Sequence, residues 1–263
     1  MATPYNTVLD LLPLWGLLPV IVFLVLVSIE AGYRLGRFRH SQSDQEKEAP
    51  VGAMVAATLG LLAFMLAFTF SMAASRFDAR KALVLSEANA IGTTYLRAAM
   101  LPAGGDEVRG LLRDYVDARL AVVKSGGVEA GLKQAETLQN QMWSHAVSAG
   151  QTNPNSIVVG LFIESLNEVI DLHSERVVAG LRNRVPGTIW LSLFVIAVLS
   201  LAAMGYHSGL AGTTRSLAVI AVALVFSAVI GLVVDLDRPQ EGTLTVSQQP
   251  LIDVRQSMNP PTP

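Results

Sequence analysis

Long apolar stretches alternate with polar stretches along the chain, in a pattern typical of membrane-spanning helices. Four apolar runs occupy residues 11–31, 51–74, 188–206 and 217–234. A helix needs about 20 residues to cross the hydrocarbon core of a bilayer, and each run is close to that length. The pattern therefore predicts four transmembrane helices, one pair in each half of the chain.

The polar segment between the two pairs, residues 75–186, also has helical periodicity. Apolar residues recur there every three or four positions, for example at Val84, Ala88, Ile91 and Tyr95. Proline and glycine interrupt the periodicity at LPAGG (101–105), SGG (125–127) and SAGQTNPNS (148–156). We therefore predict four helices in a domain outside the membrane.

These patterns together predict an all-α membrane protein. It has four transmembrane helices, a helical domain inserted between helices 2 and 3, and a short extended C-terminal hook. The predicted parts are a transmembrane hairpin, the helical domain, a second hairpin and a polar tail, at residues 1–74, 75–186, 187–234 and 235–263.

The composition agrees with this class and argues against several functions. Hydrophobic residues make up 51% of the chain and charged residues 15%, whereas soluble domains carry about 25% charged residues. A net charge of −2 without a basic patch argues against nucleic-acid binding. The absence of cysteine excludes disulfides and thiolate sites, and the four histidines lack metal-binding spacing. We expect no enzymatic activity, no cofactor and no bound metal.

Small residues follow one face of the second span at helical spacing. They are Gly52, Ala56, Gly60, Ala63, Ala67, Ser71 and Ala74. Such a stripe lets helix backbones approach closely in lipid, so it fits a tight helix pair within one chain. Alternatively, the helix lines the pore of an oligomer, where a hydrophobic constriction gates by dewetting. The pore-lining candidates are then Gly60, Ala63, Phe64, Ala67, Phe68 and Ser71.

Basic residues near the spans leave two orientations open for the helical domain. Three arginines follow the first span, namely Arg34, Arg37 and Arg39. By the positive-inside rule they place the helical domain outside the cell. Arg76, Arg80 and Lys81, at the start of that domain, favour the opposite orientation. These three residues are also the candidates for a pore mouth.

Carboxylates form a stripe along the last helix of the predicted domain. The stripe consists of Glu164, Glu168, Asp171 and Glu175. It fits a solvated helix face, a cation site, or a charged vestibule ring in an oligomer. A single helix face does not supply the converging oxygens that calcium needs. His173, near the apolar face of the same helix, is predicted to be a core residue.

The polar tail begins at the end of the fourth span with charged residues and a proline. The hook residues are Asp235, Asp237, Arg238 and Pro239. Pro239 prevents the helix from continuing, and alternation after it predicts an extended segment. We expect a rigid hook that folds back onto the helical domain, against Arg76 or Arg80. The alternative is a simple stop and tether.

Six stretches of the chain resemble the bacterial bestrophin-like domain proteins. These stretches are EAGYRLGR (30–37), LGLLAFMLAFTFSMAASRFDAR (59–80), EANAIGTTYLRAAMLP (87–102), YVDARL (115–120), SLNEVIDLHSERV (165–177) and DLDRPQEGTLTVSQQPL (235–251). The resemblance implies kinship with bestrophins, which are anion channels built as ring oligomers with a cytosolic helical domain. It implies that Phe64 and Phe68 correspond to the apolar neck of a bestrophin. The acidic calcium clasp of bestrophins has no counterpart here.

The residues and the resemblance together predict an oligomeric membrane channel for anions, with the second span lining the pore. The alternative is a non-conducting scaffold or stress sensor whose helical domain binds a partner through the acidic stripe. The expected partners are the lipid bilayer, further copies of the chain in a homo-oligomer and, for a channel, small anions. The resemblance implies a multi-pass protein of the bacterial cytoplasmic membrane.

Overall fold

The computed structural model describes residues 12–42, 48–125, 127–213, 217–239 and 242–259. They form helices α1 (Leu14–Gln42), α2 (Glu48–Ala98), α3 (Gly105–Ser125), α4 (Val128–Thr152), α5 (Ile157–Leu181), α6 (Gly187–Leu210), α7 (Ala218–Asp237) and α8 (Gln249–Ser257). Four of these helices, α1, α2, α6 and α7, are long and apolar enough to cross a membrane. The predicted fold class, an all-α protein with four membrane spans, is confirmed.

Three helix boundaries differ from those that the sequence predicts. The second span and the first domain helix form one helix of 51 residues, α2, because no proline interrupts it after residue 75. Helix α4 continues to Thr152, inside the predicted loop 148–156. Helix α8 was not predicted, because alternation in the tail indicated an extended segment; Pro250 lies in the first turn of α8, where proline is well tolerated.

The chain divides into two compact units. Unit 1 comprises Met1–Phe77 and Asn183–Thr245, and unit 2 comprises Asp78–Arg182 and Val246–Pro263. Helix α2 contributes residues to both units. Unit 1 otherwise contains α1, α6 and α7, and unit 2 contains α3, α4, α5 and α8.

Glycines bring α1 and α6 into close contact in unit 1. A Cβ atom added to Gly32 would lie 1.9 Å from the carbonyl oxygen of Ala202. On the other helix, a Cβ atom added to Gly205 would lie 2.0 Å from the carbonyl oxygen of Ile29. Small residues allow this approach where lipid supplies no hydrophobic driving force. The tight helix pair within unit 1 is therefore the pair of α1 and α6.

Apolar side chains from five helices form the core of unit 2. The fully buried members include Ile91, Leu112, Met142, Phe162 and Leu166. Leu251 of α8 is also fully buried in this core. The hydroxyl of Tyr95 donates to the carbonyl oxygen of Met258 at 2.9 Å. The C-terminal helix is therefore an integral part of the unit.

Candidate functional site

One side of α2 in unit 1 is exposed along its length, and we call it the open face of α2. It consists of the six pore-lining candidates, Gly60, Ala63, Phe64, Ala67, Phe68 and Ser71, all of which are exposed. At 3.6 residues per turn they fall within an arc of about 140°. Phe64 is 66% exposed and Phe68 is 52% exposed. Nothing lies within 4 Å of a Cβ atom added to Gly60.

The opposite side of α2 is buried. Leu62, Leu66 and Ala73 lie in the core of unit 1, and Thr69 is fully buried with its hydroxyl bonded to the carbonyl oxygen of Met65 at 2.7 Å. The hydroxyl of Ser200 on α6 donates to the carbonyl oxygen of Thr58 at 3.2 Å. This packing fixes which side of α2 points away from the chain, and that side is the open face.

The structure separates the three candidates for a pore mouth. Arg76 is partly buried and its Nε donates to the side-chain oxygen of Asn183 at 3.1 Å. Arg80 is buried, whereas Lys81 is exposed. A buried guanidinium does not face an aqueous opening, so Lys81 is the exposed one of the three candidates, and Asp78, three residues before it, is exposed as well.

The acidic stripe lies on the outer side of α5. Glu164, Glu168, Asp171 and Glu175 are all exposed, and Asn167 donates to Asp171 at 2.9 Å. No group of three acidic or histidine side chains within the described ranges is arranged to hold a metal ion. The geometry is that of a solvated helix face that is available to a partner.

Unit 2 contains a buried polar cluster that we call the Glu87 network. Glu87, on α2, is fully buried, and it accepts a hydrogen bond from the hydroxyl of Tyr115 at 2.6 Å. Arg119 of α3 pairs with its Oε1 atom at 3.4 Å, and Arg176 of α5 binds its Oε2 atom. Two guanidinium groups on two helices thus compensate one buried carboxylate.

Two further residues complete the Glu87 network. Nδ1 of His173 lies 3.0 Å from the hydroxyl oxygen of Tyr115. Arg176 also donates to the side-chain oxygen of Gln248 at 3.0 Å. Residue 248 belongs to the predicted tail, so the network joins α2, α3, α5 and the tail. A buried charge is tolerated only when it is paired and hydrogen-bonded, and this arrangement meets both conditions.

Burial and nearby charges shift the pKa values of two residues in the Glu87 network. Burial, and then the negative charge of Glu87, raises the pKa of Tyr115 well above its usual value. Burial, and then the positive charge of Arg119, lowers the pKa of His173 to about 4. Tyr115 therefore stays a neutral donor to Glu87, and His173 stays a neutral imidazole near pH 7.

The start of the tail forms a second polar cluster, within unit 1. Asp237 is buried, accepts a hydrogen bond from the backbone N–H of Val185 at 2.8 Å and pairs with Arg184 at 3.5 Å. Asp235 accepts from the backbone N–H of Thr243 at 2.9 Å and from its hydroxyl. Asp237 thus pairs with Arg184, and the contact of the hook with Arg76 or Arg80 stays a prediction.

The hook continues on the C-terminal side of these contacts. Arg238 is buried and donates to the carbonyl oxygen of Leu12 at 2.8 Å. Pro239 follows where α7 has ended. Gly242 has a φ of +134°, and a Cβ atom there would lie 1.9 Å from Oδ1 of Asp235. Glycine is the residue that tolerates this conformation and this close approach.

Sequence reasoning missed the Glu87 network. Its members, Glu87, Tyr115, Arg119, His173, Arg176 and Gln248, are far apart in the chain, and no local spacing rule connects them. Each of them lies in one of the six stretches that carry the family resemblance. The charged and aromatic residues in those stretches were therefore the sequence feature that could have indicated the network.

The chain is similar to one family model and to several solved structures. The model described as the Bestrophin-like domain matches residues 22–251. A variant of a bacterial bestrophin homologue from Klebsiella pneumoniae has a TM-score of 0.67 and 15% sequence identity, over 92% of this chain and 97% of that chain. A variant of a membrane protein has a TM-score of 0.64 and 14% identity, over 92% and 97%. No curated protein sequence matches the chain significantly.

Proposed function

The chain belongs to the bestrophin-like domain family, and from this membership and the open face of α2 we propose that it is an oligomeric membrane channel for anions. It is a multi-pass membrane protein by its four long apolar helices. We place it in the cytoplasmic membrane of a bacterium, where several copies surround a pore that is lined by α2.

The observation that carries this proposal is the contrast between two glycine-containing helix surfaces. Four glycines of α1 and α6 pack against carbonyl oxygens of the same chain, whereas Gly60 of α2 faces open space; the four are Gly32, Gly36, Gly205 and Gly209. From Gly60 to Ser71 the small residues of α2 are exposed, whereas Gly52, nearer the start of the helix, packs against His207 of α6. A surface shared between copies around an axis gives the stripe both a partner and a function.

The chemistry of the open face fits a pore that selects by width and polarity. It carries no charged side chain, and its largest members are Phe64 and Phe68. Rings of phenylalanine from several copies form a narrow apolar constriction, which conducts only when wetted. The positively polarised edges of the aromatic rings favour anions.

Cysteine cross-linking tests this arrangement, because the chain contains no cysteine of its own. We expect Ala67→Cys to form disulfides between copies in a membrane under oxidising conditions, since α2 helices approach one another around the pore. Val27→Cys, at a 46% exposed position on α1, is the matched control and should stay monomeric on a non-reducing gel. Equal cross-linking at both positions, or none at position 67 in a demonstrated oligomer, argues against the pore.

A non-conducting scaffold or sensor is the alternative function. The exposed acidic stripe of α5 favours it, because such a face offers a contact surface for a basic partner. The two functions differ in flux. A well-folded oligomer that passes no anion in liposomes under any condition supports the scaffold.

A further inference from the structure

Helix α1 is longer than the membrane that it crosses. It has 29 residues, which at about 1.5 Å per residue give a length of about 43 Å. The hydrocarbon core takes about 30 Å, or about 20 residues counted from Leu14 to Tyr33. The last nine residues, Arg34–Gln42, therefore extend into the headgroup layer and beyond it.

Apolar side chains continue along this extension. Leu35 is 55% exposed and Phe38 is 57% exposed. By helical spacing they prolong the exposed stripe of Val20, Leu24 and Val27 in the membrane part of the same helix. Exposed apolar groups that continue a lipid-facing stripe mark contact with the bilayer surface.

Unpaired positive charges flank these apolar residues. Arg34 is paired with Glu30 at 2.7 Å. Arg37 and Arg39 are exposed, and neither makes an ion pair with any residue that the structure describes. An amphipathic helix with arginines beside a leucine and a phenylalanine is the pattern that binds negatively charged membrane surfaces.

Close packing against α6 makes this extension rigid. A Cβ atom added to Gly36 would lie 2.1 Å from the carbonyl oxygen of Tyr206. A Cβ atom added to Gly209 would lie 2.8 Å from the backbone nitrogen of Arg37. The backbone that carries Arg37 is therefore fixed, and the binding of a ligand does not have to order it.

We propose that residues 34–42 of α1 form a binding site for the headgroups of anionic phospholipids. Arg37 and Arg39 bind the phosphate groups, and Leu35 and Phe38 insert between the first segments of the acyl chains. Arg34 lies one turn away from Phe38 and keeps its partner Glu30. Charge complementarity and continuity with the lipid-facing stripe select a lipid as the occupant.

Thermal unfolding in nanodiscs tests this site without any measurement of ion flux. The full chain is reconstituted in phosphatidylcholine and in phosphatidylcholine mixed with phosphatidylglycerol. Phosphatidylglycerol should raise the unfolding midpoint of the wild type. The double variant Arg37→Gln/Arg39→Gln should lose at least half of that rise. Lys133→Gln removes one exposed positive charge from α4 and should keep the full rise.

Other outcomes overturn the site. An equal rise in the double variant means that the lipid acts elsewhere. A rise of the same size from free glycerol phosphate in phosphatidylcholine nanodiscs means that the site takes a small anion instead of a lipid. If the double variant does not fold, Arg37→Gln and Phe38→Ala singly are each expected to reduce the rise, and two unchanged rises contradict the proposal.

Discussion

In the first half of α2, residues 50–77, the buried side chains are apolar or form their own hydrogen bond, as Thr69 does. In the second half, residues 78–98, the helix buries the carboxylate of Glu87 and exposes Lys81. The first half exposes Phe64 and Phe68 instead. The two halves of this continuous helix thus expose different side chains. Apolar side chains are stable in contact with lipid, and charged side chains are stable in contact with water.

The two halves of α2 are also held in place by different interactions. The second half is held by charge, since Glu87 pairs with Arg119 and Arg176. The first half is held by close packing, and its face from Gly60 to Ser71 is exposed in the part of the chain that the structure describes. Because of the buried charge, single substitutions in the second half should lower stability strongly. Substitutions on the open face of the first half should change the stability of the single chain little.

Removal of the buried charge should have the largest effect on stability. Glu87→Gln leaves two guanidinium groups without a carboxylate, and the loss of one partner from a buried ion pair costs about 3–5 kcal/mol. Chemical denaturation of the detergent-solubilised protein measures this change. The control Glu168→Gln alters an exposed carboxylate of α5 and should cost about 0.5 kcal/mol or less. A similar loss of stability in both variants would contradict the stabilising role of the Glu87 ion pairs.

Shortening the buried side chain of Leu251 in α8 should destabilise the protein nearly as much. Leu251→Ala removes a fully buried side chain of α8 and should destabilise unit 2 by about 2–5 kcal/mol. Ile252, the next residue, is 36% exposed, so Ile252→Ala should cost clearly less. Resistance to limited proteolysis and the denaturation midpoint report both changes. Equal, small effects would show that the tail is only a tether.

Added methyl groups should separate the packed glycines from the open one. Gly205→Ala places a Cβ atom 2.0 Å from the carbonyl oxygen of Ile29 and should cost about 1–3 kcal/mol. Gly60→Ala meets nothing within 4 Å in the single chain and should leave the stability of a dissociated monomer unchanged or higher. The midpoints of thermal unfolding in detergent check both. A large loss for Gly60→Ala in the monomer would mean that this face has a partner within the chain.

Acid should weaken unit 2 through His173. Its pKa is about 4 in the folded protein and about 6.5 when unfolded, so the unfolded chain binds the proton more readily. The contribution of the neutral imidazole is complete above about pH 6.5 and is lost as the pH falls towards 4. Thermal midpoints measured across this range should fall less steeply for His173→Gln than for the wild type. Parallel curves would exclude His173 as the source.

The sequence predicted the features that depend on local pattern. Four spans and a helical domain follow from apolar runs and periodicity, and the small-residue stripe of α2 follows from helical spacing. The unbroken α2 was missed because the change from apolar to polar composition at residue 75 resembled a boundary. Helix α8 was missed because the tail was predicted to be extended, and a proline in the first turn does not prevent a helix.

The Glu87 network lay outside the reach of local pattern for a different reason. Tyr115 is 28 residues from Glu87, and Arg176 is 89 residues from it. Only the packing of α2, α3 and α5 brings them together. The sequence around one glutamate on a helix does not indicate whether its carboxylate is buried. The sequence alone therefore could not identify the Glu87 network.

Anion flux through liposomes tests the central claim, that the open face of α2 lines a pore, most directly. Phe64→Ala and Phe68→Ala are compared with the wild type and with Phe23→Ala, which alters a 69% exposed phenylalanine on α1. We predict chloride flux in the wild type, a clear change in rate for both α2 variants, and no change for Phe23→Ala. Absence of flux in a folded oligomer, or flux that is indifferent to both α2 variants, would contradict the account.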